Sequence, residues 1–521
     1  MIFTCLKYNV KEITMSNLAS KAVQLILLSL VVKILGFSRE MIMAYYYGTS
    51  VVVDVYVASM NIPSVIFALL GAAITTTFIP LYSEISEKKN RKTALLFSNN
   101  VLNILVITSF VISILGTIYS EVLVKVFAGG FTGDSFELAN NFTKIIMITI
   151  IFTVIQYIYN GYLQLQGLFN ESSLMMIPYN LLLIFFMIVS YYMDNFYMLA
   201  VGVIFASISQ LAYLKYAINK TDFKHIFILN TKDIYIKKMF LLLGPVFFST
   251  AINQLNNIVD RSLASRLAEG SISALNYSSR VNSIILEVVI LSMTTILYPT
   301  LSKLFSANRS GELIRFINKY VNIVAFIVLP AAFMINYLSN DIINILFGRG
   351  AFNAESVHFT GAALKIYSIG LIGYAFRDVL NKIYYSMKDT KTPMVNGFIS
   401  IVLNIILNLI LIQKFKYLGI AFSSSFSSII CTLLLFFQLV NKVSGLSIKK
   451  ISENLFKIFI ATLIMYIFYF IVGNIIVISN SLVKCFIFGF SGSLVYLGVL
   501  IILREKTVKE LYSIIFKKLN D

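Results

Sequence analysis

The sequence predicts an all-α polytopic membrane protein. Of the 521 residues, 58% are hydrophobic and 13% are charged, whereas a soluble globular protein carries about 25% charged residues. Apolar runs of roughly 20 residues recur from end to end, and each is long enough to cross the hydrocarbon core of a bilayer. We expect about 14 transmembrane helices, centred near residues 33, 67, 109, 153, 184, 205, 250, 287, 328, 373, 403, 430, 465 and 494.

Basic residues alternate between the loops that join these runs, and this alternation predicts the orientation. By the positive-inside rule the basic loops and both termini are cytoplasmic, and an even number of spans agrees. The net charge of +18 therefore indicates attraction to anionic membrane lipids, with no nucleic-acid partner. The basic positions are Lys88, Lys89, Arg91, Lys92, Lys215, Lys220, Lys224, Lys232, Lys237, Lys238, Lys303, Arg309, Arg315, Lys319, Lys388, Lys391, Lys442, Lys449, Lys450, Arg504, Lys506, Lys509, Lys517 and Lys518.

The two halves of the chain resemble each other at a fixed offset of 219 residues. Residues 75–83 (Thr-Thr-Thr-Phe-Ile-Pro-Leu-Tyr-Ser) and 294–302 (Thr-Thr-Ile-Leu-Tyr-Pro-Thr-Leu-Ser) share Thr-Thr, Pro and Ser, and a basic loop follows each. A repeat of six spans enters the membrane twice from the same side, which predicts a pseudo-two-fold axis along the membrane normal and a binding site between two lobes. The expected segments are a polar extension at 1–15, an N-lobe at 16–225, a C-lobe at 226–445, and two last spans with a basic cytoplasmic tail at 446–521.

Cysteine and histidine usage argues against an enzyme. Cys5, Cys431 and Cys485 have no motif spacing, so they predict neither a disulfide framework nor a metal site. His225 and His358 are far apart and lack acids at ligand spacing. No sizeable loop carries paired acids or a His/Asp constellation, so a transporter is favoured over a membrane-bound polyprenyl-sugar transferase.

The most informative residues are cations inside apolar runs: Lys33, Arg39, Arg280 and Arg377. Charge at membrane depth is costly and is normally confined to a protein interior or a wet cavity, so a mostly positive interior indicates an anionic substrate. Two structural alternatives remain open. Arg39 pairs with Glu40 while Lys33 snorkels to the interface, and Arg280 ties helix ends together.

Three acidic or amide positions in the same runs have two interpretations each, and for the asparagines the alternative to ion binding is a bridge between helices. Asp260 either neutralises Arg261 or, with amide oxygens from elsewhere, binds a monovalent cation. Asn404 and Asn408 are four residues apart, so they share a helix face and are able to supply such oxygens.

Two further acids lie near the ends of apolar runs. Arg377 and Asp378 are adjacent, and we interpret them as a structural or gating pair. Asp54, at the outer start of the second run, pairs with a basic residue or caps a helix.

Seen together, several short motifs resemble the MurJ (MviN) lipid II flippase family, within the multidrug/oligosaccharidyl-lipid/polysaccharide exporter superfamily. The resemblance covers almost all of residues 16–521, and it is carried by the order and spacing of the motifs. They are 35–40 (Leu-Gly-Phe-Ser-Arg-Glu), Asp54 ahead of Pro63, Ile79-Pro80, 259–265 (Val-Asp-Arg-Ser-Leu-Ala-Ser), 274–280 (Ala-Leu-Asn-Tyr-Ser-Ser-Arg), 346–352 (Leu-Phe-Gly-Arg-Gly-Ala-Phe) and 389–393 (Asp-Thr-Lys-Thr-Pro).

The resemblance implies two lobes around a central cationic cavity, with a hydrophobic groove formed by the last two helices for a polyprenyl tail. It implies that Arg39 and Arg280 are arginines the family needs and that Asp54 is a functional acid. Lys33 stands where many members have Arg, so charge is kept but bidentate diphosphate binding is lost. The family's usual basic residue in the second span is absent, because residues 64–70 are uncharged.

The resemblance also implies a sodium site formed by Asp260, Asn404, Asn408 and Ser424, although an acid is usual where Asn408 stands. It implies no other cofactor, with sodium or the membrane potential as the driving force. We treat Glu40, Arg261, Arg377 and Asp378 as gating or structural residues.

We therefore predict a cytoplasmic-membrane flippase that moves lipid II, the undecaprenyl-diphosphate-linked peptidoglycan precursor, to the outer leaflet by alternating access. Lys33, Arg39 and Arg280, with Asp54, are the predicted substrate-binding residues. A monomer that works beside the cell-wall synthesis machinery is expected. The alternative is a flippase for another polyprenyl-linked glycan, such as a capsule, O-antigen or teichoic-type unit; a drug/cation antiporter is less favoured, since cationic drugs need buried acids.

Overall fold

The computed structural model describes residues 12–307, 309–443, 445–505 and 507–508, and the secondary structure of these residues is helical. The predicted all-α class is therefore confirmed. The helices are α1 (Glu12–Tyr47), α2 (Val51–Ala73), a π-helical turn (Ile74–Phe78), α3 (Ile79–Lys88), α4 (Arg91–Ile118), α5 (Ser120–Phe127), α6 (Gly133–Met147), α7 (Thr149–Leu165), α8 (Phe169–Leu174), α9 (Met176–Tyr192), α10 (Tyr197–Ile218), α11 (Ile234–Ala264), α12 (Ser271–Ser306), α13 (Ser310–Phe347), α14 (Ala354–Ser386), α15 (Lys391–Lys442), α16 (Ile448–Ile475) and α17 (Ser481–Ile502).

Many of these helices are long and apolar enough to cross a membrane. Within the described residues nine segments meet that condition, and a tenth follows if α6 and α7, which meet at a bend of 40°, form one span. The chain is therefore an integral membrane protein. Helices and spans do not correspond one to one, since α15 alone contains two of the predicted apolar runs, those centred near residues 403 and 430. The count of about 14 spans therefore stays a prediction.

Prolines and one residue with non-helical geometry mark particular points along the long helices. Pro63 lies inside α2 and Pro330 inside α13; proline lacks the N–H that an internal helical position donates. The π-helical turn at Ile74–Phe78 comes directly before Pro80, which occupies the first turn of α3. In α15 the backbone leaves helical geometry at Lys416 (φ 50°, ψ −133°). This residue separates the two predicted spans.

Contacts divide the chain into two compact units. Unit 1 comprises the described residues up to Tyr46 together with Ser59–Val124 and Gly133–Ala251, and unit 2 comprises Tyr47–Ala58, Lys125–Thr132 and the described residues from Ile252 onward. The predicted lobe boundaries at 225 and 445 stay predictions. In unit 1 a buried cluster joins α3, α4, α7 and α10, with Phe78, Phe97 and Tyr162 among its largest side chains.

Small residues bring helices of unit 2 into close contact. A Cβ added to Gly370 of α14 would lie 2.6 Å from Ser425 Oγ of α15, and one added to Gly373 would lie 2.7 Å from Ile429 N. Such close backbone approach is the usual means of helix association in membranes. Cys431 is buried in the same helix pair, as expected of a cysteine that acts as a small hydrophobic residue. A second cluster joins α13, α16 and α17 around Tyr469 and Phe488.

Two predicted features lie wholly or mainly outside the described residues. These are the N-terminal extension, with Cys5 and most of residues 1–15, and the basic tail beyond Val508.

Candidate substrate and ion sites

Arg39 lies in α1 and is held by two partners in unit 1. Its Nη2 donates to Glu40 Oε1 at 2.7 Å, and its Nη1 donates to Asn180 Oδ1 of α9 at 3.2 Å. The Arg39 side chain is 19% exposed and that of Glu40 is 12% exposed. The predicted pairing of Arg39 with Glu40 is therefore present. The guanidinium is oriented by both contacts and still reaches the protein surface.

Asn180 was not identified from the sequence. Its Nδ2 donates to Met176 O at 2.8 Å in the preceding turn of α9, which directs the amide oxygen toward Arg39. Gly36 of α1 faces the same amide, since a Cβ added there would lie 3.8 Å from Asn180 Oδ1. An asparagine two residues after Pro178 in an apolar run was the available signal. Lys33, earlier in α1, is exposed.

Asp54 caps a helix. It lies in α2, is 4% exposed, and accepts hydrogen bonds on both carboxylate oxygens. Oδ2 accepts from Gly270 N at 2.8 Å and Oδ1 from Ser273 N at 2.7 Å, at the first turn of α12. The first N–H groups of a helix have no internal acceptor, and a carboxylate there also interacts favourably with the helix dipole. Of the two sequence interpretations, capping is the one that the structure shows.

The converse contact is made by Glu269, which the sequence analysis missed. Its Oε1 accepts from Val51 N, the first residue of α2, at 2.9 Å. The starts of α2 and α12 therefore cap each other through Asp54 and Glu269. Asp54 and Ser273 are 219 positions apart, the offset of the predicted repeat. A two-fold axis next to both helix starts would bring such equivalent positions together.

Arg280 and Arg261 occupy different environments in unit 2. Arg280 follows Ser279 in α12, and both side chains are exposed. Arg261 of α11 is partly buried, and its guanidinium donates to Ile272 O at 3.3 Å and to Asn276 Oδ1 at 3.4 Å. Arg261 thus ties α11 to the start of α12. It makes no ion pair within 4 Å with Asp260 in the described part of the chain, and neutralisation of that acid by its neighbour stays a prediction.

The four residues of the predicted ion site lie together. Asp260 Oδ1 accepts from Asn408 Nδ2 at 2.6 Å, and the amide oxygen of Asn404 accepts from Ser424 Oγ at 3.2 Å and from Ser424 N at 2.9 Å. Asn256, one turn before Asp260, donates to Oδ2 at 3.4 Å. The i, i+4 spacing of the two asparagines correctly predicted that they share one face.

A polar cavity of about 160 Å³ opens beside this cluster in unit 2. Its wall combines the carboxylate of Asp260, the guanidinium of Arg261, amides and two tyrosines. It is lined by Asn256, Asn257, Asp260, Arg261, Ala264, Leu275, Ser279, Tyr367, Tyr374, Ile420 and Ser424.

The predicted pairing of Arg377 with Asp378 was wrong. Asp378 Oδ2 accepts from Lys382 Nζ at 2.9 Å, and the Arg377 guanidinium lies over the Tyr374 ring at 5.1 Å from its centroid. Adjacent helical residues point about 100° apart, whereas residues four apart lie on the same face. The sequence already contained the correct partner at i+4.

Comparison with known proteins identifies the family. The family model described as lipid II flippase MurJ matches residues 43–496. A probable lipid II flippase MurJ of Buchnera aphidicola subsp. Baizongia pistaciae (strain Bp) is 29% identical over 474 residues, 89% of this chain and 92% of that protein. A probable lipid II flippase MurJ of Rickettsia prowazekii (strain Madrid E) is 29% identical over 405 residues, 77% and 80% of the two chains.

Solved structures agree. A lipid II flippase MurJ in an inward closed conformation superposes with a TM-score of 0.80 at 25% identity, covering 92% of this chain and 99% of that one. An inward-facing MATE-family multidrug transporter of the MOP superfamily gives a TM-score of 0.67 at 14% identity over 81% and 98% of the chains, which shows a shared fold. With the family model matching most of the chain, the protein belongs to the MurJ family of lipid II flippases.

Proposed function

We propose that this protein carries lipid II from the cytoplasmic to the outer leaflet of the cytoplasmic membrane. The observation that carries the proposal is the cationic side chain of Arg39 inside an apolar helix of a MurJ-family chain, oriented by Glu40 and Asn180 yet still 19% exposed. Charge at membrane depth is retained where function requires it. A guanidinium binds phosphate oxygens through two parallel hydrogen bonds, which suits the diphosphate of lipid II.

We assign the substrate's anionic groups to three cations. Arg39 offers a preoriented guanidinium, because its two partners limit the side-chain entropy lost on binding. Lys33 and Arg280 are both exposed and add positive charge. Arg and Lys differ here, since guanidinium binds phosphate oxygens through two parallel hydrogen bonds and ammonium acts as a point charge.

We propose a structural role for Asp54, in place of the predicted contact with substrate. Both of its carboxylate oxygens are engaged by N–H groups of α12 and the side chain is buried. In the proposed orientation, with both termini cytoplasmic, α2 and α12 begin at the outer side. The Asp54 and Glu269 caps then hold these two helix starts together, and alternating access separates them.

We propose sodium at the Asp260 cluster, as the family resemblance implies. The residues fit: a carboxylate, two amides and a hydroxyl are hard oxygen donors of the kind that an alkali cation prefers. In addition, Asn408 Oδ1 is buried and accepts no hydrogen bond from the described residues. Asp260, Asn404, Asn408 and Ser424 would hold the ion. Bound sodium would supply a positive charge that compensates the buried carboxylate, and its gradient or the membrane potential would drive transport.

Depletion in the source bacterium tests the function. Lipid II should accumulate in the inner leaflet and stop reaching the outer one, where externally added enzymes and antibiotics recognise it. Wild-type protein supplied in trans should restore exposure, and an Arg39→Gln variant expressed at equal level should not. Normal outward exposure of lipid II in depleted cells would contradict the proposal.

A flippase for another polyprenyl-linked glycan is favoured by one observation only, the uncharged stretch at residues 64–70. Failure of this protein to rescue a cell depleted of its own lipid II flippase, together with rescue of a capsule- or O-antigen-export defect, would select that alternative.

A further inference from the structure

The linker between α10 and α11, residues 219–233, is bound along α4 by three asparagines of unit 1. Asn99 Nδ2 donates to Lys224 O at 3.1 Å, and its Oδ1 accepts from Ile226 N at 2.8 Å. Asn103 Nδ2 donates to Ile226 O and to Ile228 O, each at 3.0 Å. These side chains thus take the place of a neighbouring β-strand for alternate residues of an extended segment.

The third asparagine completes the contact. Asn100 Nδ2 donates to Asn230 O at 2.9 Å, and Asn100 Oδ1 accepts from Asn230 N at 2.8 Å. All three asparagines are at most 5% exposed. The linker is fixed at both ends as well, by buried Phe223 and by Asp233, whose Oδ1 accepts from Tyr235 N at 2.7 Å at the start of α11. Its backbone is therefore ordered.

The linker exposes a mixed apolar and cationic surface. Ile226 is 48% exposed, Phe227 is 72% exposed and Leu229 is 51% exposed. Lys224 and Lys232 flank them and are exposed as well. Residues 215–238 contain six lysines and two aspartates, which gives a local net charge of +4. Three large exposed apolar side chains within four residues indicate an interaction surface.

The position of the linker indicates its surroundings. Asn99 and Asn103 come eight and twelve residues after Arg91, the first residue of the span α4, which corresponds to roughly 12–18 Å along the helix axis. The linker thus runs beside a membrane span. Non-helical backbone beside a membrane span is tolerated where protein groups satisfy its N–H and C=O groups. The three asparagines supply these hydrogen bonds for one edge of the segment.

We propose that residues 224–232 are an interfacial docking segment that binds anionic phospholipids of the cytoplasmic leaflet. Exposed Phe, Ile and Leu insert at the boundary of headgroups and acyl chains, as in other interfacial elements, while the lysines contact anionic headgroups. A lipid surface is favoured over a peptide because the exposed apolar side chains adjoin a span and the local charge is positive. The inference rests on the proposed orientation of the chain.

The absence of tryptophan from the sequence allows a direct test. Phe227→Trp introduces a single indole into the full-length protein, which is reconstituted into nanodiscs that contain brominated phosphatidylcholine or brominated phosphatidylglycerol. Lys89→Trp, in the exposed loop after α3, is the aqueous control, and Phe437→Trp, on an exposed face of α15, is the lipid control. Quenching and a blue-shifted emission of Phe227→Trp that match Phe437→Trp are expected.

Two further variants test the charges and the asparagines. Lys224→Gln with Lys232→Gln should reduce the preference for quenching by brominated phosphatidylglycerol, since each lysine near an anionic surface is worth about fivefold in affinity. Asn99→Ala with Asn103→Ala removes four backbone contacts of the linker and should shift the Phe227→Trp emission toward that of Lys89→Trp.

Emission of Phe227→Trp like that of Lys89→Trp, without bromolipid quenching, would overturn the proposal and leave the surface to a protein partner. Equal quenching by brominated phosphatidylcholine and brominated phosphatidylglycerol would overturn the proposed preference of the segment for anionic lipids. Lipid II translocation measured with the same protein separates the outcomes. Docking without translocation contradicts the proposed function, whereas translocation without docking contradicts only this inference.

Discussion

Replacing Asp54 should destabilise the junction between the starts of α2 and α12. In Asp54→Ala, the N–H groups of Gly270 and Ser273 lose acceptors at 2.8 and 2.7 Å in a site where Asp54 is 4% exposed. Each buried unsatisfied group costs about 1–3 kcal/mol, so we expect a total of about 2–6 kcal/mol. Asp54→Asn keeps one acceptor oxygen and should cost about 1–3 kcal/mol.

The matched control is Glu269→Gln. Glu269 is exposed and accepts one hydrogen bond, from Val51 N, and glutamine retains the accepting oxygen. The expected cost is below about 0.5 kcal/mol. The predicted order of destabilisation is therefore Asp54→Ala, then Asp54→Asn, then Glu269→Gln, measured by equilibrium unfolding of the purified protein in mixed micelles.

A second assay follows the junction itself. Ser273 is fully buried, so a Ser273→Cys thiol, in a background without the three native cysteines, reacts with a hydrophilic maleimide only when the two helix starts separate. A cost of 1–3 kcal/mol corresponds to roughly 5- to 150-fold more opening. Asp54→Asn should accelerate labelling by a factor in that range and Glu269→Gln should leave the rate unchanged. Equal rates in all three proteins, with equal unfolding free energies, would refute the reasoning.

Three more predictions follow from the sites. Arg39→Gln should slow lipid II translocation by roughly 10- to 150-fold, the value of a charge-assisted hydrogen bond, and Arg39→Lys should fall between it and wild type in a proteoliposome assay. Asp260→Asn should abolish the rise in thermal stability that sodium chloride gives over choline chloride, whereas Asp378→Asn should retain it. Although desolvation raises the pKa of Asp389, hydrogen bonds from Lys442 at 2.6 Å and from the start of α15 lower it from 3.8 to about 2. The ion pair therefore stabilises the protein above about pH 4 and is lost as the pH falls toward 2, so Asp389→Asn should flatten the acid limb of a thermal-stability profile over that range.

Features set by local spacing were predictable from the sequence. Hydropathy alone gave the helical membrane architecture, and the i, i+4 spacing of Asn404 and Asn408 placed both amides on one face. Arg39 and Glu40 are neighbours in sequence, and their contact was anticipated. The Asp378 partner was missed because adjacency was weighed above helical spacing, which favours Lys382.

Features that depend on distant segments were not predictable without the fold. Asn180 is 141 residues from Arg39, and Gly270 is 216 residues from Asp54; neither pairing leaves a periodic signal. The internal repeat came nearest to predicting such a contact, because its offset of 219 residues is the separation of Asp54 and Ser273. In the sequence, the asparagines of α4 are ordinary polar residues in an apolar run. Their hydrogen bonds to the linker backbone can be identified only from the fold.

The most direct test is translocation in vesicles of defined composition. Purified protein is reconstituted with fluorescently labelled lipid II, and a membrane-impermeant reagent reports how much headgroup has crossed the bilayer. The account predicts protein-dependent crossing of lipid II that Arg39→Gln slows by roughly 10- to 150-fold, and little crossing of a polyprenyl-linked O-antigen or teichoic-type lipid. Crossing of lipid II at the rate of protein-free vesicles, or equally fast crossing with Arg39→Gln, would contradict it.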